Sequence, residues 1–473
     1  MDLWVHGVDQ VVQVTLASDW STIRLAVSSA QTVSLHDEGE SKSRDVADCL
    51  VFALDCARLH AHPWRVSLAG VREVVIGRGE AREVQRLDDT AVVSIPDTSV
   101  SSVHARLRRA AGEWVVEDAR SKNGTLVNGV PIERTPLTTR DLLEIGTSFC
   151  LLRRGAGDVM AEELERRPPG TRTLSDPLVR SFDLLTRVAP SPVPVLLLGE
   201  TGTGKEMVAR AVHELSQRAG RFTAVNCGAL PDTLAASELF GARKGAFSGA
   251  DADRAGLVQE ADRGTLFLDE IAELPAASQA VLLRVLQEHE LLPLGATRPI
   301  RVDIRVIAAT NESLAERVVA GRFRKDLYAR LRGFAITLPP LRERLEDIGL
   351  LIADLLPRVA AARSDAALSR RVARGLLGYD WPLNIRELEH MLASALVLAA
   401  GREIAPAHLP EEIRAAVNGD PSLSVQRERE RLVRLIHEHG GNVSAMARAL
   451  GTSRSHIRRL ARRYEIELGD LRK

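Results

Sequence analysis

Residues 193–206 read Val193-Pro194-Val195-Leu196-Leu197-Leu198 and then Gly199-Glu200-Thr201-Gly202-Thr203-Gly204-Lys205-Glu206, an apolar run followed by a glycine-rich turn. A buried strand that leads through such a turn into a helix points backbone N–H groups and the positive helix end at one place, where an anion is stabilised. The apolar residues of 207–215 recur at the spacing of one helix face, which predicts that helix. We therefore predict a phosphate-binding loop in an α/β domain, with Lys205 as the cation for the β- and γ-phosphates.

The phosphate loop departs from the usual pattern at Glu206, where a serine or threonine often ligates magnesium. The alternative is a glycine-rich turn that serves only as a connection. Gly199, Gly204 and Lys205 all match the loop pattern after an apolar strand, so the phosphate loop is the better explanation.

Length, charge and cysteine usage limit the class of protein. The 473 residues suggest roughly three domains at about 150 residues each. The 63 basic and 63 acidic residues cancel, so a polyanionic partner has to be sought in local charge. Cys49, Cys56, Cys150 and Cys227 show no C-x-x-C spacing, which favours buried thiols in a reducing compartment over structural zinc. With no cationic leader and no uncharged apolar run of about 18 residues, we expect a soluble cytoplasmic protein without a membrane partner.

A second apolar run ends in two carboxylates, in Gly264-Thr265-Leu266-Phe267-Leu268-Asp269-Glu270. Nucleotide hydrolases use this arrangement to hold magnesium and to orient the attacking water. An apolar strand that ends in Asp-Glu is a weak signal alone, but it becomes specific about 60 residues beyond a phosphate loop. We assign Asp269 to Mg²⁺ and Glu270 to the water.

The first third of the chain is rich in predicted strands. Residues 1–47 carry short apolar stretches broken by polar segments, and we assign them no function. Within 48–153, apolar and polar residues alternate at 103–108. The pairs Asn123-Gly124 and Asn128-Gly129 bracket a short strand and supply the positive φ angles that tight hairpins need. We predict a small β-sandwich.

Three segments of this sandwich carry polar residues at a recognisable spacing: Gly77-Arg78, Ser101-Ser102-Val103-His104 and Ser121-Lys122-Asn123-Gly124-Thr125. Through them, residues 48–153 resemble a forkhead-associated (FHA) domain, which implies binding of a phosphothreonine protein or peptide. A phosphate with about −1.5 to −2 charges needs a forked cation and hydroxyl donors, here Arg78, Ser101 and Ser102. The resemblance also places Lys122 and Asn123 at the peptide and His104 behind the loop, although the family often has arginine where Ser102 stands. A sandwich used only for assembly is the alternative.

Residues 154–172 are polar and marked by proline and glycine, which predicts a linker. Beyond it, residues 173–413 resemble the central AAA+ domain of the sigma-54-dependent transcriptional activators, the bacterial enhancer-binding proteins. The resemblance divides this region into an α/β ATPase subdomain, 173–345, and a helical lid, 346–413. It implies that ATP and Mg²⁺ are bound and that residues 199–206 all contact the nucleotide.

The same resemblance gives roles to individual residues. Asn226 matches the switch residue that senses the γ-phosphate, and Thr310 with Asn311 matches the first sensor. Arg386 matches the second sensor, which reaches the nucleotide from the lid. Leu383 stands where the family usually has glycine, so a positive φ at that position would be strained. The loop implied to grip sigma-54 is Gly245-Ala246-Phe247-Ser248-Gly249-Ala250, with Ser248 in place of the usual threonine.

Arg324 and Arg330 match two arginines that reach the nucleotide of a neighbouring subunit in that family. Charge develops on the phosphoryl group during transfer, and an arginine from a neighbour raises hydrolysis by about 10³–10⁵-fold. The resemblance therefore implies a ring of six or seven copies. The alternatives are solvated surface arginines at 324 and 330 and a lid salt bridge at Arg386.

The C-terminal part is small and cationic. We predict a second linker at 414–424 and a DNA-binding domain at 425–473 that resembles the Fis-type helix-turn-helix of the same activators. From residue 421 onward, 12 arginines and lysines stand against 6 acids, a local charge that suits a polyanion. A charged, solvated helix is the alternative. The residues implied to contact enhancer DNA are Ser453, Arg454, Ser455, Arg458, Arg459 and Arg462.

These features predict a multidomain protein with an FHA β-sandwich, an α/β AAA+ P-loop ATPase with a helical lid, and a small all-α helix-turn-helix domain. The expected function is that of a sigma-54-dependent transcriptional activator, which couples ATP hydrolysis to remodelling of sigma-54 RNA polymerase and takes phosphothreonine as its input. Two alternatives stay open: an AAA+ motor that acts on another target, and a non-catalytic, DNA-bound phosphopeptide scaffold.

Overall fold

The computed structural model describes residues 46–246, 251–359 and 366–418 together with their side chains. Near the start it describes two strands, β1 (Asp2–Gly7) and β2 (Gln10–Thr15), which pair antiparallel as a separate hairpin. Beyond residue 418 the described residues are 432–433, 435–436, 439–443, 445–446, 461 and 466. The predicted DNA contacts and residues 247–250 of the predicted sigma-54 loop lie outside the described residues.

The next strands are β3 (Ala47–Asp55), β4 (Trp64–Ser67), β5 (Glu73–Arg78), β6 (Glu83–Leu87), β7 (Thr90–Ile95), β8 (Ala105–Ala110), β9 (Glu113–Asp118), β10 (Thr125–Val127), β11 (Val130–Ile132), β12 (Arg134–Leu137), β13 (Leu142–Ile145) and β14 (Ser148–Gly155). They form two six-stranded sheets, ordered β11-β10-β13-β14-β3-β4 and β12-β9-β8-β5-β7-β6. Apolar side chains from both sheets, among them Leu50, Ile76 and Leu143, are buried between them. The predicted β-sandwich is confirmed.

The two Asn-Gly pairs have different conformations. Asn128 (φ 54°) and Gly129 (φ 80°) are both left-handed, which makes the tight hairpin between β10 and β11. At the first pair only Gly124 (φ 73°) is left-handed, and the segment is a loop that leads into β10. The sequence therefore predicts the second turn correctly, whereas the first pair belongs to a surface loop.

The segment 154–172, where we predict a linker, lies against the domains on both of its sides. It contains the short helix α1 (Ala161–Glu165), whose Leu164 is buried. The guanidinium of buried Arg65, in the sandwich, donates to the carbonyl oxygen of Leu174 at 3.0 Å, on the far side of the segment. The connection between sandwich and ATPase region is therefore packed against protein.

The α/β region contains, in chain order, α2 (Asp176–Val188), β15 (Val195–Leu198), α3 (Lys205–Ser216), β16 (Phe222–Asn226), α4 (Asp232–Phe240), α5 (Leu257–Glu260), β17 (Thr265–Asp269), α6 (Ala276–Glu288), β18 (Glu290–Leu291), β19 (Ile300–Arg301), β20 (Arg305–Thr310), α7 (Leu314–Val319), α8 (Lys325–Leu331) and β21 (Phe334–Thr337). Five strands form a parallel sheet in the order β16-β17-β20-β15-β21. Since the carboxyl ends of parallel strands share one edge, the loops that follow β15, β16, β17 and β20 meet there. The α/β prediction is confirmed.

The lid consists of the helices α9 (Ile348–Val359), α10 (Arg370–Gly378), α11 (Asn384–Ala399) and α12 (Glu411–Asn418). Helix α12 continues past residue 413, where the sequence predicts the end of the lid. Its Ile413 and Val417 are both buried, and a Cβ atom on Gly375 of α10 would lie 2.3 Å from a methyl carbon of Val417. The close packing of α10 on α12 explains why the helical part extends beyond residue 413.

The sandwich and the lid share one hydrophobic core. Strands β3 and β14 contribute Val51 and Phe149, while α9 contributes Ile352. Gly349 lies at the contact, because a Cβ atom on it would be only 2.1 Å from the carbonyl oxygen of Ala53. The backbone of lid helix α9 therefore rests directly on strand β3.

The described residues beyond 418 form a small core of their own. Leu432, Ile436, Met446 and Ala461 are buried against one another, in keeping with the apolar periodicity of the predicted helix-turn-helix. Among the helices that the structure describes, none combines the length and the apolar character needed to cross a membrane.

Candidate functional site

The phosphate loop joins β15 to α3 at the carboxyl edge of the parallel sheet. Helix α3 begins at Lys205, and Gly204 before it is left-handed (φ 98°), a conformation that glycine adopts without strain. Lys205 is 8% exposed, and its ammonium donates to the carbonyl oxygens of Gly199 (2.8 Å) and Glu200 (2.9 Å). Burial lowers the pKa of Lys205, and the two carboxylates at the end of β17 oppose that change. The loop thus holds a cation close to the acidic pair.

The lid lies directly on this loop. Gly202 has φ 77°, and a Cβ atom on it would lie 2.2 Å from the carbonyl oxygen of Leu383, so a side chain does not fit there. The Ile385 N–H donates to the Gly202 carbonyl at 2.9 Å. The same Cβ position is 3.2 Å from the Cβ atom of Arg386. The predicted second sensor therefore begins beside the phosphate loop.

The turn does not require a positive φ at Leu383, so the condition for strain at that position is not met. Leu383 has φ −104°, a common value for any residue, and precedes α11 as its N-cap. The left-handed residues of this turn are Trp381 (φ 50°) and Asn384 (φ 56°) instead. Asparagine tolerates that conformation better than most residues because its short polar side chain forms local hydrogen bonds.

Asn384 is a site residue that the sequence analysis did not single out. Its side chain is 0% exposed, and its amide donates to the Thr201 carbonyl (3.0 Å) and to a Glu200 carboxylate oxygen (3.2 Å). Its own oxygen accepts from the Leu341 N–H at 2.7 Å. One buried amide thus connects the phosphate loop, the lid and the 3-10 turn Leu341–Glu343. The feature of the sequence that could have pointed to Asn384 is its position two residues before Arg386 in the same motif.

The acidic pair lies at the end of β17, next to the phosphate loop. Asp269 ends the strand, and Glu270 follows with a left-handed backbone (φ 52°). A Cβ atom on Gly228 would lie 2.5 Å from a Glu270 carboxylate oxygen and 3.4 Å from the side-chain oxygen of Asn226. Glu270 and Asn226 therefore flank the same glycine, and Gly228 leaves the space that the Glu270 side chain occupies. Gly228 is a second site residue that the sequence analysis did not name.

The predicted first sensor lies on the adjacent strand, β20. Thr310 is buried, its hydroxyl accepts from the Glu312 N–H at 3.0 Å, and its carbonyl accepts from the Gly199 N–H at 3.3 Å. The exposed Asn311 donates from its side-chain amide to the Thr201 hydroxyl at 3.1 Å. Both predicted sensor residues are thus brought into contact with the phosphate loop.

The two glutamates of the loop have different surroundings. Glu206 is exposed and pairs with Arg210, one turn along α3, at 2.7 Å. Glu200 accepts from Arg342 at 2.9 Å and from the side chain of Asn384, and the hydrogen bond from Arg342 is the main cause of its lowered pKa. Glu200 therefore contributes to the contact between loop and lid, whereas Glu206 lies on the exposed face of α3. Thr203, between them, is buried, and its hydroxyl donates to the Glu200 carbonyl at 2.8 Å.

Arg324 and Arg330, which are also predicted to act on nucleotide, form no hydrogen bond or ion pair with the phosphate loop among the described residues. Both are exposed residues at helix α8. Arg324 forms a fork with Asp326, with contacts of 3.0 and 2.7 Å, and Arg330 donates to the Leu286 carbonyl at 3.3 and 3.1 Å. The partners of these two arginine side chains thus lie on α8 and α6, and not in the phosphate loop.

An open cavity of about 460 Å³ lies next to the phosphate loop. Gly199, Glu200 and Asn311 line one part of it. Leu178 of α2 and Leu338, which follows β21, line another part and make it apolar. The combination of an apolar wall with the phosphate loop suits a ligand that has a flat ring at one end and phosphates at the other.

The described part of the predicted sigma-54 loop is firmly attached to the ATPase region. Gly245 has φ 80°, and the Ala246 N–H donates to the Arg243 carbonyl at 3.0 Å. The Lys244 N–H donates to an Asp253 carboxylate oxygen at 2.8 Å, across the base of the loop. The two ends of the loop are therefore held together by hydrogen bonds.

The predicted phosphopeptide residues lie together on one surface of the sandwich. The Arg78 N–H donates to the Ser101 carbonyl (2.9 Å), and the Lys122 N–H donates to the Ser101 hydroxyl (3.0 Å). The Asn123 amide donates to the Ser99 carbonyl at 2.7 Å. Ser102, on the same loop, is exposed, and a Cβ atom on Gly77 would lie 2.0 Å from its carbonyl oxygen.

His104 connects the two loops of this surface from behind. It is buried, its Nδ1 accepts from the Ser101 N–H at 3.1 Å, and its Nε2 lies 3.2 Å from the Gly124 carbonyl. These contacts suit a neutral ring that donates from Nε2, and burial lowers the pKa of His104 in agreement with that state. The imidazole thus holds the loop that carries Ser101 against the loop that carries Asn123.

Four family models match the chain, each over a different region. They are a sigma-54 interaction domain at residues 173–337, an AAA+ ATPase lid domain at 342–425, an FHA domain at 74–146 and a helix-turn-helix domain at 428–469. The matched regions follow the domain order that the sequence and the fold indicate.

Similar proteins include transcription regulators. The anaerobic nitric oxide reductase transcription regulator NorR of Citrobacter koseri is 47% identical over 302 residues, covering 59% of this chain and 60% of NorR. The transcriptional regulatory protein ZraR of Salmonella typhimurium is 45% identical over 287 residues, covering 58% of this chain and 64% of ZraR. The chain thus spans less than two thirds of the length of these relatives.

A solved structure of NtrX from Brucella abortus in complex with ADP is 28% identical, with a TM-score of 0.50, over 62% of this chain and 69% of NtrX. Its likeness covers the larger part of the chain and agrees with the α/β fold described above. With regions that match an FHA domain, a sigma-54 interaction domain, an AAA+ lid and a helix-turn-helix domain, this chain is similar, region by region, to the sigma-54-dependent transcriptional activators.

Proposed function

We propose that this protein binds ATP with Mg²⁺, hydrolyses it, and uses the energy to remodel sigma-54 RNA polymerase at promoters in the cytoplasm. The observation that carries the proposal is the convergence of four segments at one sheet edge. The phosphate loop, the Asp269-Glu270 pair, the Thr310-Asn311 pair and the lid residue Arg386 all lie there. These segments would supply the phosphate, metal, water and sensor positions that phosphoryl transfer requires.

The nucleotide phosphates would be held by the backbone N–H groups of the loop and by Lys205. Mg²⁺ in nucleotide sites commonly uses one or two carboxylates together with phosphate oxygens and waters, and Asp269 supplies such a carboxylate close to Lys205. The bound metal would neutralise charge on the β- and γ-phosphate oxygens. Since Glu206 faces away toward Arg210, Asp269 is the better candidate for the metal contact.

Glu270 would orient and deprotonate the attacking water. Its left-handed backbone directs the carboxylate over Gly228 and toward Asn226, at the end of the neighbouring strand β16. Asn226 accepts from the Ala229 N–H at 3.1 Å in this structure, so its oxygen is fixed within about one side-chain length of Glu270. This arrangement suits a switch in which Asn226 exchanges a local backbone partner for the glutamate.

Hydrolysis is tested with three single variants of the full chain. Lys205→Ala is expected to abolish ATP binding, and Glu270→Gln to keep binding while turnover falls by about 10²-fold or more. Glu260→Gln changes an exposed glutamate on α5 and serves as the matched control with unchanged turnover. Normal turnover by Glu270→Gln would exclude the assigned base, and the absence of any glutamate-dependent hydrolysis would favour a non-catalytic scaffold.

We propose that Arg324 and Arg330 act on the nucleotide of a neighbouring copy in a ring of six or seven. The support is that both are exposed at α8 and that their partners, Asp326 and Leu286, do not belong to the phosphate loop. A mixing experiment tests it: Glu270→Gln subunits keep intact arginines, while Arg324→Ala subunits keep an intact base. Each variant alone should be nearly inactive and the mixture should regain turnover. No gain on mixing would show that the arginines do not act between subunits.

The loop at 245–250 would deliver the energy to sigma-54. Gly245 and Ala246 begin it on a base that is clamped by hydrogen bonds, so a change at the nucleotide edge can be transmitted to its tip. Phe247→Ala protein should hydrolyse ATP normally but form no open complexes with sigma-54 polymerase on a supercoiled template. Normal open-complex formation by this variant would favour a motor that acts on another target.

Phosphothreonine input is proposed for the surface formed by Arg78, Ser101, Ser102, Lys122 and Asn123. Ser101 and Ser102 lie on one of the two loops that His104 connects, and Arg78 ends the adjacent strand β5, so a phosphate could be held at several points at once. Phosphothreonine and threonine forms of one peptide library should bind differently. Arg78→Ala should remove the difference, while Arg72→Ala, just before the other end of the strand and also exposed, should not. Equal affinity for both forms would refute phosphothreonine input.

The C-terminal tail is proposed to hold enhancer DNA through Ser453, Arg454, Ser455, Arg458, Arg459 and Arg462. Each arginine that contacts phosphate should reduce the slope of log affinity against log salt by about one unit when it is replaced by alanine. An unchanged slope for the Arg458→Ala and Arg462→Ala variants would place these arginines away from DNA.

A further inference from the structure

The FHA sandwich is fixed to the lid by more than its shared apolar core. Glu144 of β13 is 0% exposed and accepts from Arg374 of α10 at 2.6 and 2.8 Å. Arg153 of β14 donates to Glu346, which precedes α9, at 3.0 Å. Buried charges are costly to separate, so these pairs define one orientation of the sandwich on the ATPase region.

The second of these pairs leads toward the phosphate loop. Glu346 is 5% exposed and lies two residues after Arg344, which is also 5% exposed. The Arg344 guanidinium donates to the carbonyl oxygen of Thr203, in the phosphate loop, at 2.7 Å. Glu346 and Asp347 surround Arg344 with negative charge, which offsets the cost of burying its guanidinium.

The short segment 344–347 therefore contacts three parts of the molecule. Arg344 contacts the phosphate loop, and Glu346 contacts the sandwich. Asp347, 1% exposed, accepts from the Thr173 hydroxyl and the Leu174 N–H, both at 2.7 Å, in the chain that connects sandwich and ATPase. With so many partners, the segment cannot shift at one contact without disturbing the others.

We propose that Arg344 is a positioning residue for the phosphate loop and that Arg153, in the FHA sandwich, supports it through Glu346. The affinity for nucleotide then depends on the sandwich being seated on the lid. This inference rests on the proposed nucleotide binding and adds a residue of the FHA domain to it. The Thr203 carbonyl belongs to the turn whose N–H groups face the phosphates, so the direction of those groups follows the position of Arg344.

The role of Arg153 follows from the distribution of charge. With Arg153 in place, the Glu346 carboxylate pairs with the partly exposed Arg153 guanidinium at 3.0 Å and acts on the buried Arg344 guanidinium through its charge. Without Arg153, Glu346 is free to approach Arg344 and to draw its guanidinium away from the Thr203 carbonyl. Coupling is reciprocal, so bound nucleotide also stabilises the seated sandwich by the same free energy.

The test measures ADP affinity of the full chain by calorimetry, with far-UV circular dichroism as a check of folding. Arg153→Gln should weaken ADP binding by about 5-fold or more. Arg154→Gln is the matched control: Arg154 is the next residue of the same strand, is exposed, and contacts only the Val46 carbonyl at 3.3 Å among the described residues. Arg153→Lys keeps the charge and should restore most of the affinity.

A double-mutant cycle separates positioning from general loss of stability. In the Arg344→Met background, Arg153→Gln should have no further effect on ADP affinity, because Arg153 acts only by supporting the Arg344 guanidinium, which this variant lacks. Additive effects, or unchanged ADP affinity in a folded Arg153→Gln protein, would overturn the inference. Lys205→Ala protein is expected not to bind nucleotide. If wild-type protein also fails to bind ADP, the proposed nucleotide function is refuted, and this inference is refuted with it.

Discussion

Replacement of Gly349 by alanine probes the contact between sandwich and lid with a single methyl group. Gly349 is the second residue of α9, and the added Cβ atom would lie 2.1 Å from the Ala53 carbonyl oxygen of β3. Ordinary contact begins at about 3.4 Å, so helix and strand would have to separate by roughly 1 Å. Overpacking of this kind typically costs about 1–3 kcal/mol.

The same substitution should raise the free energy of unfolding, instead of lowering it, if the sandwich does not sit on the lid in solution. Alanine in a helix is favoured over glycine by about 0.5–1 kcal/mol. With the sandwich seated, the net effect of Gly349→Ala is a loss of up to about 2.5 kcal/mol in the free energy of unfolding. With the sandwich detached, the net effect is a gain. The sign of the change therefore reports the docking directly.

Urea unfolding of the full chain provides the measurement, followed by tryptophan fluorescence. Trp64 is buried in the sandwich and Trp381 in the lid, so both domains contribute to the signal. Gly378→Ala is the control, because Gly378 ends α10 with no atom within 4 Å of an added Cβ. It should leave stability unchanged or slightly raised. If Gly349→Ala is as stable as Gly378→Ala, the contact between β3 and α9 does not exist in solution.

Three further predictions concern single residues. Burial raises the pKa of Asp347 to about 6, so the native state binds an extra proton between about pH 4 and pH 6, and stability falls as pH rises through that window. When pH is lowered from 7 to 4, the free energy of unfolding of wild type should therefore rise by up to about 3 kcal/mol relative to that of Asp347→Asn. Denaturation measured at each pH gives both values. Gly228→Ala should displace the Glu270 carboxylate and reduce ATP turnover at least about 10-fold with little change in ADP affinity. Turnover equal to that of wild type would show that the Glu270 carboxylate does not need the space beside Gly228. Glu144→Ala should cost about 2–3 kcal/mol of unfolding free energy because Arg374 loses its partner. The loss should be larger in Arg374→Ala, which leaves the fully buried Glu144 carboxylate with the longer 3.5 Å contact to Arg370, and a smaller loss there would contradict the assigned burial of that charge.

Motifs that are contiguous in the chain could be placed from the sequence alone. The phosphate loop needs one strand, one glycine-rich turn and one helix, all between residues 193 and 216, and the fold forms them as expected. The end of β17 at Asp269 follows from an apolar run that stops at a charged residue. Parallel pairing brings the ends of neighbouring strands to one edge, which is why Asn226, Asp269 and Thr310 form a group that the strand pattern predicts.

The contacts between domains could not be predicted in this way. Glu144 and Arg374 are 230 residues apart, and neither lies in a motif that points to the other. Strand alternation places Arg153 and Arg154 on opposite faces of β14, but it does not say which face meets Glu346. Leu383 shows a related limit: glycine at a family position suggests a positive φ, yet the chain forms the turn with Asn384 left-handed instead.

A rigid link also connects the predicted phosphopeptide loop with the side of the sandwich that faces the lid. Asp97 accepts from the Ser99 N–H at 2.8 Å and the Thr147 N–H at 2.7 Å, and Thr147 lies within 3.0 Å of Asp55. Burial alone would raise the pKa of Asp97, but these hydrogen bonds hold it below its usual value, so the carboxylate stays ionised at neutral pH.

The position of this link has a consequence for input. Asp55 ends β3, and the carbonyl of the next residue, Cys56, accepts from the Leu368 N–H of the lid at 2.7 Å. A ligand that shifts the loop at Ser99 therefore acts on a structure that is already fixed to the lid, without a flexible tether in between. The two states are the sandwich seated on the lid and the sandwich detached from it. A ligand shifts an equilibrium only through its different affinity for the two states, so a ligand of the sandwich can influence nucleotide binding only by favouring or opposing the seated state.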